Sequence, residues 1–424
     1  MVDMDVVIFG GGAAGLWLLD ELTRRGSQAI LLESNSLCAG QTIASQGIIH
    51  GGLKYTLQGL LTGSATSIRE MPEVWRDCLS GRREPDLSGV ERRADCCFLW
   101  RTESWSSRLG MLGAQWGLRV SPQTVTDEGC PAILHGCPGT VALLPEQVIS
   151  PKSFADVFSK RHAKCLLKID PQDVMFDCSQ RATVKSLRLR THDGDRELQL
   201  QPKWVVFAAG SGNAALRGAV GLSGEVMQRR PLHMVLLRGA SLPSFQGHCV
   251  DGAKTRVTIT SDRDSGGRTI WQVGGQIAEE GVAYDEVRLL RMTCEELSCV
   301  LPSLDLSDVE LTTYRVNRAE GCVPGGKRPE TVQIRHEGNC LTAWPTKLAL
   351  VPQLTSDLCE LMASHGGISG TTSKDSLAEI SKWNWPAPEV ALPPWETATR
   401  WWTIGELLTG ESSKASQIPS TRAA

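Results

Sequence analysis

The chain has 424 residues, length enough for two or three domains. Lys and Arg total 44 against 47 Asp and Glu, a net charge of −3, so no basic excess exists to neutralise phosphates and nucleic-acid binding is not expected. Hydrophobic residues make up 41%, which permits a large core, and no apolar run reaches the ~18 residues of a membrane span.

The start, Met1–Asp5, lacks the basic region of a secretory signal, which points to a cytoplasmic protein with reduced thiols. The 14 cysteines contain no CxxC, and Cys96/Cys97 and Cys130/Cys137 lack a second half at zinc-ligand spacing. They read as small buried hydrophobes, and no metal site is expected.

The first strong pattern is Asp5–Phe9, a short β-branched run that predicts a buried parallel strand. Gly10, Gly12 and Gly15 follow as G-x-G-x-x-G, with Ala13 and Ala14 between the last two. Leu16–Arg25 has helical apolar spacing and stops at Gly26. Gln28–Glu33 predicts a second strand that ends in a carboxylate. Each part has a mechanical reason. Gly10 permits the tight turn, Gly12 lets the backbone approach a pyrophosphate, and Gly15 lets helix and strand pack closely. The free N–H groups of the helix start face the anion. Glu33 can accept hydrogen bonds from both hydroxyls of an adenosine ribose, which excludes a 2′-phosphate. A dinucleotide is expected, NAD or FAD.

The next segment, Cys38–Tyr55, is long, small and polar, with no third strand of a plain Rossmann domain. It resembles the glutathione-reductase-like FAD fold, in the branch that holds D-amino-acid oxidases, glycine and sarcosine oxidases and FAD-dependent glycerol-3-phosphate dehydrogenases. Ile49–Tyr55 resembles the Ile-His-Gly-Gly-Leu-Arg-Tyr pattern of the last group, with Lys54 in place of Arg. Gln46-Gly47 departs from it where that group commonly has a Lys.

Three later segments fit the same resemblance. Glu146–Phe154 is similar to the acid-x-Val-x-x-Pro turn that returns the family's chain to its FAD domain, and a helix is predicted from Ser153 to Lys164. Lys203–Asn213 is similar to the strand that ends in Ala-Ala-Gly beside the dinucleotide. Asn339–Pro352 is similar to the family's last strand and flavin-facing turn, with a helix predicted over Gln353–His365. Pro345-Thr346 stand where the glycerol-3-phosphate group has glycines, and Val351-Pro352 where it has an Arg. The missing Arg after Lys347 and the altered step at Gln46-Gly47 count against glycerol 3-phosphate itself.

The resemblance implies an α/β (α+β) fold. A glutathione-reductase-like FAD-binding Rossmann domain would be built from residues 1–70, 145–223 and 316–380. A mixed or antiparallel-sheet substrate domain, 71–144 and 224–315, would be inserted into it. Short apolar runs at Cys96–Trp100, His233–Leu237, Val257–Thr260 and Thr269–Val273 predict the strands of that sheet, and Glu286–Cys299 predicts a helix. Residues 381–424 form a Trp- and Pro-rich extension with Trp383, Trp385, Trp395, Trp401 and Trp402. Either it packs across the FAD domain or it presents a partner-facing or peripheral membrane-facing patch.

The resemblance also implies non-covalent FAD. Its contacts would come from Gly10, Gly12, Ala13, Ala14, Gly15, Glu33, Ser34, Gln41, Thr42, Ser45, Gln46, Gly47, Ile48, Val174, Ala209, Gly210, Lys347 and Leu348. For chemistry, His233 before an apolar strand is the leading base candidate, and His50 before Gly51-Gly52 is the second. Arg318 is the candidate for holding an anionic group, with Arg315 as its alternative. Lys347 would favour the anionic reduced flavin. Tyr55 and Tyr314 line the substrate site or pack in the core. The implied reaction is hydride transfer from a C–H next to N or O of a small anionic metabolite (an amino acid, a 2-hydroxy acid or a glycerol-3-phosphate-like compound) to flavin N5. The acceptor that reoxidises the flavin is left open. The competing reading is an FAD-binding scaffold or assembly flavoprotein without turnover.

Overall fold

The structure, a computed structural model, describes residues 1–51, 63–102, 123–125, 129–138, 141–191, 194, 196–251, 254–367 and 376–409. Leu53, Lys54 and Tyr55 of the predicted motif, and the tail beyond 409, lie outside them.

The first sheet is built around β1 (Val2–Phe9). Its order is Gln333–Glu337, Cys340–Trp344, Glu197–Phe207, β1, β2 (Ala29–Glu33), Leu166–Lys168. All neighbours are parallel except the outermost strand, Gln333–Glu337. A hairpin, Val174–Gln180 and Thr183–Arg190, adds onto the first half of Glu197–Phe207. Parallel strands bury both faces, which explains the near-continuous apolar runs.

One face is covered by α1 (Ala13–Arg24) with the helices Gly63–Leu79, Pro151–Arg161 and Val351–Ser364. Trp17 of α1 meets Trp75 edge-on at 4.8 Å between ring centroids. Asp20 of α1 is fully buried and bonds Arg161 and His162, each at 2.9 Å, which fixes α1 to its neighbour. α1 stops where Gly26 takes φ +79°, a left-handed conformation that favours glycine. Helix Pro151–Arg161 starts two residues before the predicted Ser153, because Ser150 caps it and Pro151 suits its first position. The hairpin, with Val220, Leu222 and Trp385, covers the opposite face.

The second sheet is mostly antiparallel. Its order is Trp402–Thr403, Glu310–Gly321, Met227–Gly239, Thr269–Gly274, Lys254–Arg263, Gly247–Asp251, Cys97–Arg101, Ala142–Leu144, Gln123–Thr124. The helix Glu286–Val300 packs on the face that carries Val235, Leu237 and Val273. The boundary expected at residue 316 falls inside Glu310–Gly321. That strand keeps an unbroken register with Met227–Gly239 as far as the Met227–Gly321 pair, so 316–321 stay with the second sheet.

The C-terminal extension crosses both sheets. Trp385 enters the first core, Trp395 packs on Leu236 and Ile270, and Trp402 joins the second sheet as its edge. Those three indoles are buried, so packing accounts for them. The 14 cysteines are all free, and among the described residues no helix is long and apolar enough to cross a membrane.

Candidate active site

The turn between β1 and α1 is closed by contacts that only glycine permits. Gly10 has φ +108°, and a Cβ there would stand 2.5 Å from the Ala209 Cα. A Cβ on Gly15 would stand 2.0 Å from the Gly10 carbonyl oxygen. Gly12 differs: its Cβ would meet nothing nearer than the Thr42 hydroxyl at 3.4 Å, so this backbone borders open space. α1 has no side-chain cap and no acid in its first turn; the Thr42 hydroxyl accepts from the Ala13 N–H at 3.3 Å. Glu33 is oriented by the Gly11 and Asn35 N–H groups, each at 2.6 Å from one carboxylate oxygen. Ala209 lies just past the end of the neighbouring strand Glu197–Phe207 and against this turn, with its N–H on the buried Asn213 at 2.8 Å, and Gly210 follows it.

Beyond Glu33, Ser34 opens a cavity of about 240 Å³ shared with Lys168, Ile169, Asp170, Thr191 and Trp385. Val174 does not line it. Val174 instead starts the hairpin strand Val174–Gln180.

The segment after β2 bridges the two sheets. Gln41 accepts from the Ala319 N–H at 2.9 Å. Gln46 donates to the carbonyls of Thr258 and Gln272 at 2.9 and 3.0 Å. The Tyr314 hydroxyl donates to the Ala44 carbonyl at 2.8 Å. Gln41 and Gln46, expected on the cofactor, therefore spend these amide groups on the second sheet. Gly47 takes φ +70°, and a Cβ there would fall 2.0 Å from the Ile149 carbonyl, so the departure from a Lys at this step has a steric cause. Ile48 pairs with Val148, and the Ile49 N–H donates to Gln147 at 2.8 Å. The Ser45 hydroxyl and the Gln147 amide are buried without a hydrogen-bond partner.

His50 follows directly. Its Nδ1 faces Glu146 Oε2 at 3.4 Å, and His248 Nε2 faces the same oxygen at 3.3 Å. The Gly51 N–H donates to Glu146 Oε1 at 2.7 Å, and His248 Nδ1 lies 3.0 Å from the Thr258 hydroxyl. Glu146 and His248 are buried, while the His50 side chain is 42% exposed. Burial works to raise the Glu146 carboxyl, but the two imidazoles outweigh it and hold it well below the usual carboxylate range. Burial pushes His50 down; Glu146 opposes this, and the charges of His248 and Lys347 add to it. Lys347 is itself buried, in the turn between Cys340–Trp344 and Leu348–Leu350, where Thr346 takes φ +66°. The first sheet thus supplies Lys347 and the second His248, and His50 and Glu146 stand between them.

His50, Glu146 and His248 are also, among the described residues, the set of His, Cys, Asp or Glu whose ligand atoms lie within 4.8 Å of one another.

His233 does not join this cluster. Its partner across the sheet is Arg315, and neighbouring Met234 pairs with Tyr314, whose hydroxyl reaches Ala44. Alternation therefore turns His233 to the opposite, helix-covered face, where Nδ1 lies 3.0 Å from the Gly281 carbonyl. Burial lowers its pKa there. The base role expected for it is withdrawn. Arg315 points the same way, donating to the Val282 and Tyr284 carbonyls at 3.1 and 2.8 Å. Arg318, four residues past Tyr314, shares the Tyr314 face and pairs with Glu279 at 3.1 Å beside Arg230. Two members of the cluster were missed. Glu146 was read only as the start of a turn, and His248 was not singled out.

The glycine cradle and the unpartnered Ser45 and Gln147 atoms fit a dinucleotide that carries a polar ring system. The profile of the DAO family, FAD dependent oxidoreductase, matches residues 5–332. The chain belongs to this family. It is 36% identical over 398 residues to a probable FAD-dependent oxidoreductase of Pseudomonas aeruginosa, covering 93% of this chain and 98% of that one. The crystal structure of the FAD dependent oxidoreductase from that organism superposes with a TM-score of 0.78 at 32% identity, over 94% of this chain and 99% of that one. Two further structures share the fold. Glycine oxidase from Geobacillus kaustophilus has a TM-score of 0.59 at 16% identity, over 86% and 95% of the two chains. L-alpha-glycerophosphate oxidase from Mycoplasma pneumoniae, solved with FAD bound, has 0.59 at 13%, over 93% and 98%. The chain is thus an FAD-dependent oxidoreductase of the DAO family.

Proposed function

We propose that this family member oxidises a C–H next to nitrogen or oxygen in a small anionic metabolite, with His50 as the proton acceptor. Bound FAD supplies the hydride acceptor. The observation that carries the reading is the His50 ring, whose Nδ1 faces a buried carboxylate at 3.4 Å while the side chain is 42% exposed, with the Lys347 charge acting on it. In an alcohol the hydroxyl proton passes to His50 as the hydride leaves carbon; in an amine the nitrogen proton takes the same route. Lys347 and Arg318 favour a substrate with a carboxylate or phosphate, which they hold by charge and, for Arg318, by a planar fork of donors.

The test is anaerobic. The protein is purified in its yellow form and mixed with amino acids, 2-hydroxy acids and sugar or glycerol phosphates. The expected result is bleaching of the flavin by one chemical class, abolished in His50→Gln. Failure of every class to bleach it would overturn the reading and favour a flavoprotein that binds FAD without turnover.

A further inference from the structure

The Glu146 carboxylate sits where two imidazoles compete for one oxygen. Nδ1 of His50 and Nε2 of His248 face Oε2 at 3.4 and 3.3 Å, both longer than the ~2.7–2.9 Å of a charge-assisted hydrogen bond. Oε1 is held by the Gly51 N–H at 2.7 Å, so the carboxylate cannot swing away. His248 is anchored at its other nitrogen by Thr258. Oε2 and His248 Nε2 are buried and make no hydrogen bond of full geometry. One acceptor between two near-equidistant rings closes on whichever ring carries the extra proton, and slackens toward the other.

We propose that Glu146 and His248 are positioning residues for His50. Glu146 fixes the tautomer with a proton on Nδ1, so that Nε2 is presented on the exposed edge as the acceptor, and His248 draws on the same oxygen and limits how tightly the product imidazolium is held. This deepens the proposed function and rests on it for the identity of the reaction. The balance is simple. A neutral His50 takes one proton from the substrate at Nε2 and becomes an imidazolium. Its Nδ1–H then closes on Glu146 as His248 slackens. Release of the proton to solvent along the exposed edge restores the starting state.

The charged groups that face His50 are Glu146, His248 from the second sheet and Lys347 from the end of the first sheet. Two variants then act in opposite senses. Glu146→Gln removes the opposing charge and makes the imidazolium harder to form. His248→Leu removes the competitor and leaves Oε2 wholly to His50.

The experiment is a pH titration of 13C-labelled imidazoles by NMR in the FAD-loaded protein, with the His50 signal assigned by its loss in His50→Gln. The pKa of His50 should fall by about one unit or more in Glu146→Gln and rise in His248→Leu. No movement in either variant, or movement in the same direction in both, would overturn the proposal. So would a stoichiometric divalent metal that co-purifies with the wild type and is lost from Glu146→Gln. If Glu146→Gln does not retain FAD, His248→Leu still decides by its sign. The measurement needs no substrate, so a failed substrate screen and a failed relay are told apart.

Discussion

The Tyr314 hydroxyl donates to the Ala44 carbonyl at 2.8 Å while accepting from the Gln272 amide at 2.9 Å. This one phenol joins the second sheet to the segment that follows β2. Tyr314→Phe keeps the ring and strands both partners. Unfolding by urea should show a loss of about 1–3 kcal/mol. A change under 0.5 kcal/mol would mean that the junction is held by Gln41 and Gln46 alone.

Gly15→Ala places a Cβ 2.0 Å from the Gly10 carbonyl, a backbone atom that cannot rotate aside. The α1 start must then move. FAD affinity should fall at least tenfold, about 1.4 kcal/mol, as read by flavin fluorescence on dilution. Wild-type retention of flavin in this variant would refute the cradle.

His50 and His233 separate the two base candidates. His50→Gln should cut the rate of flavin reduction by about 10²–10⁴ once a substrate is in hand. His233→Asn should leave that rate within a few-fold and cost about 1 kcal/mol of stability through the lost bond to Gly281. The reverse pattern would restore His233 to the chemistry.

Asp20 gives a pH signature. Burial raises its pKa, but bonds from His162, Arg161 and Arg24 outweigh this and lower it from 3.8 to about 2. The folded pKa lies below the unfolded one. The stabilisation is therefore complete above pH 3.8 and is lost as pH falls toward about 2. Its size is on the order of 2 kcal/mol. Asp20→Asn should lower Tm at neutral pH and flatten the acid limb of stability between pH 4 and about 2, followed by circular dichroism. An unchanged acid limb would assign that limb to other carboxylates.

Local signals were legible and distant ones were not. The β1–α1–β2 unit is readable because each of its constraints lies within a few residues, from the Gly10 turn to the Glu33 carboxylate. His50 is readable through its neighbours. Glu146 reaches it across 95 residues in the Gly51 hydrogen bond, and His248 arrives from an inserted strand. No spacing rule connects such positions. His233 failed for a different reason. His233–Leu237 is apolar at nearly every step because the strand is covered on both faces, so alternation has nothing to mark which face a residue takes. The 316 boundary failed similarly, since a single long strand carries no internal punctuation.

The edge strand Trp402–Thr403 has a consequence for how the chain comes into being. The second sheet begins near residue 97, yet its edge strand Trp402–Thr403 is translated after every other strand of that sheet. The first sheet likewise waits for Cys340–Trp344. On the ribosome neither layer can be finished before its partner is nearly finished, and Leu236 and Ile270 stay uncovered until Trp395 emerges. A nascent chain stopped at 380 would present that apolar surface to chaperones and proteases, and the arrival of Trp395 is the step that covers it.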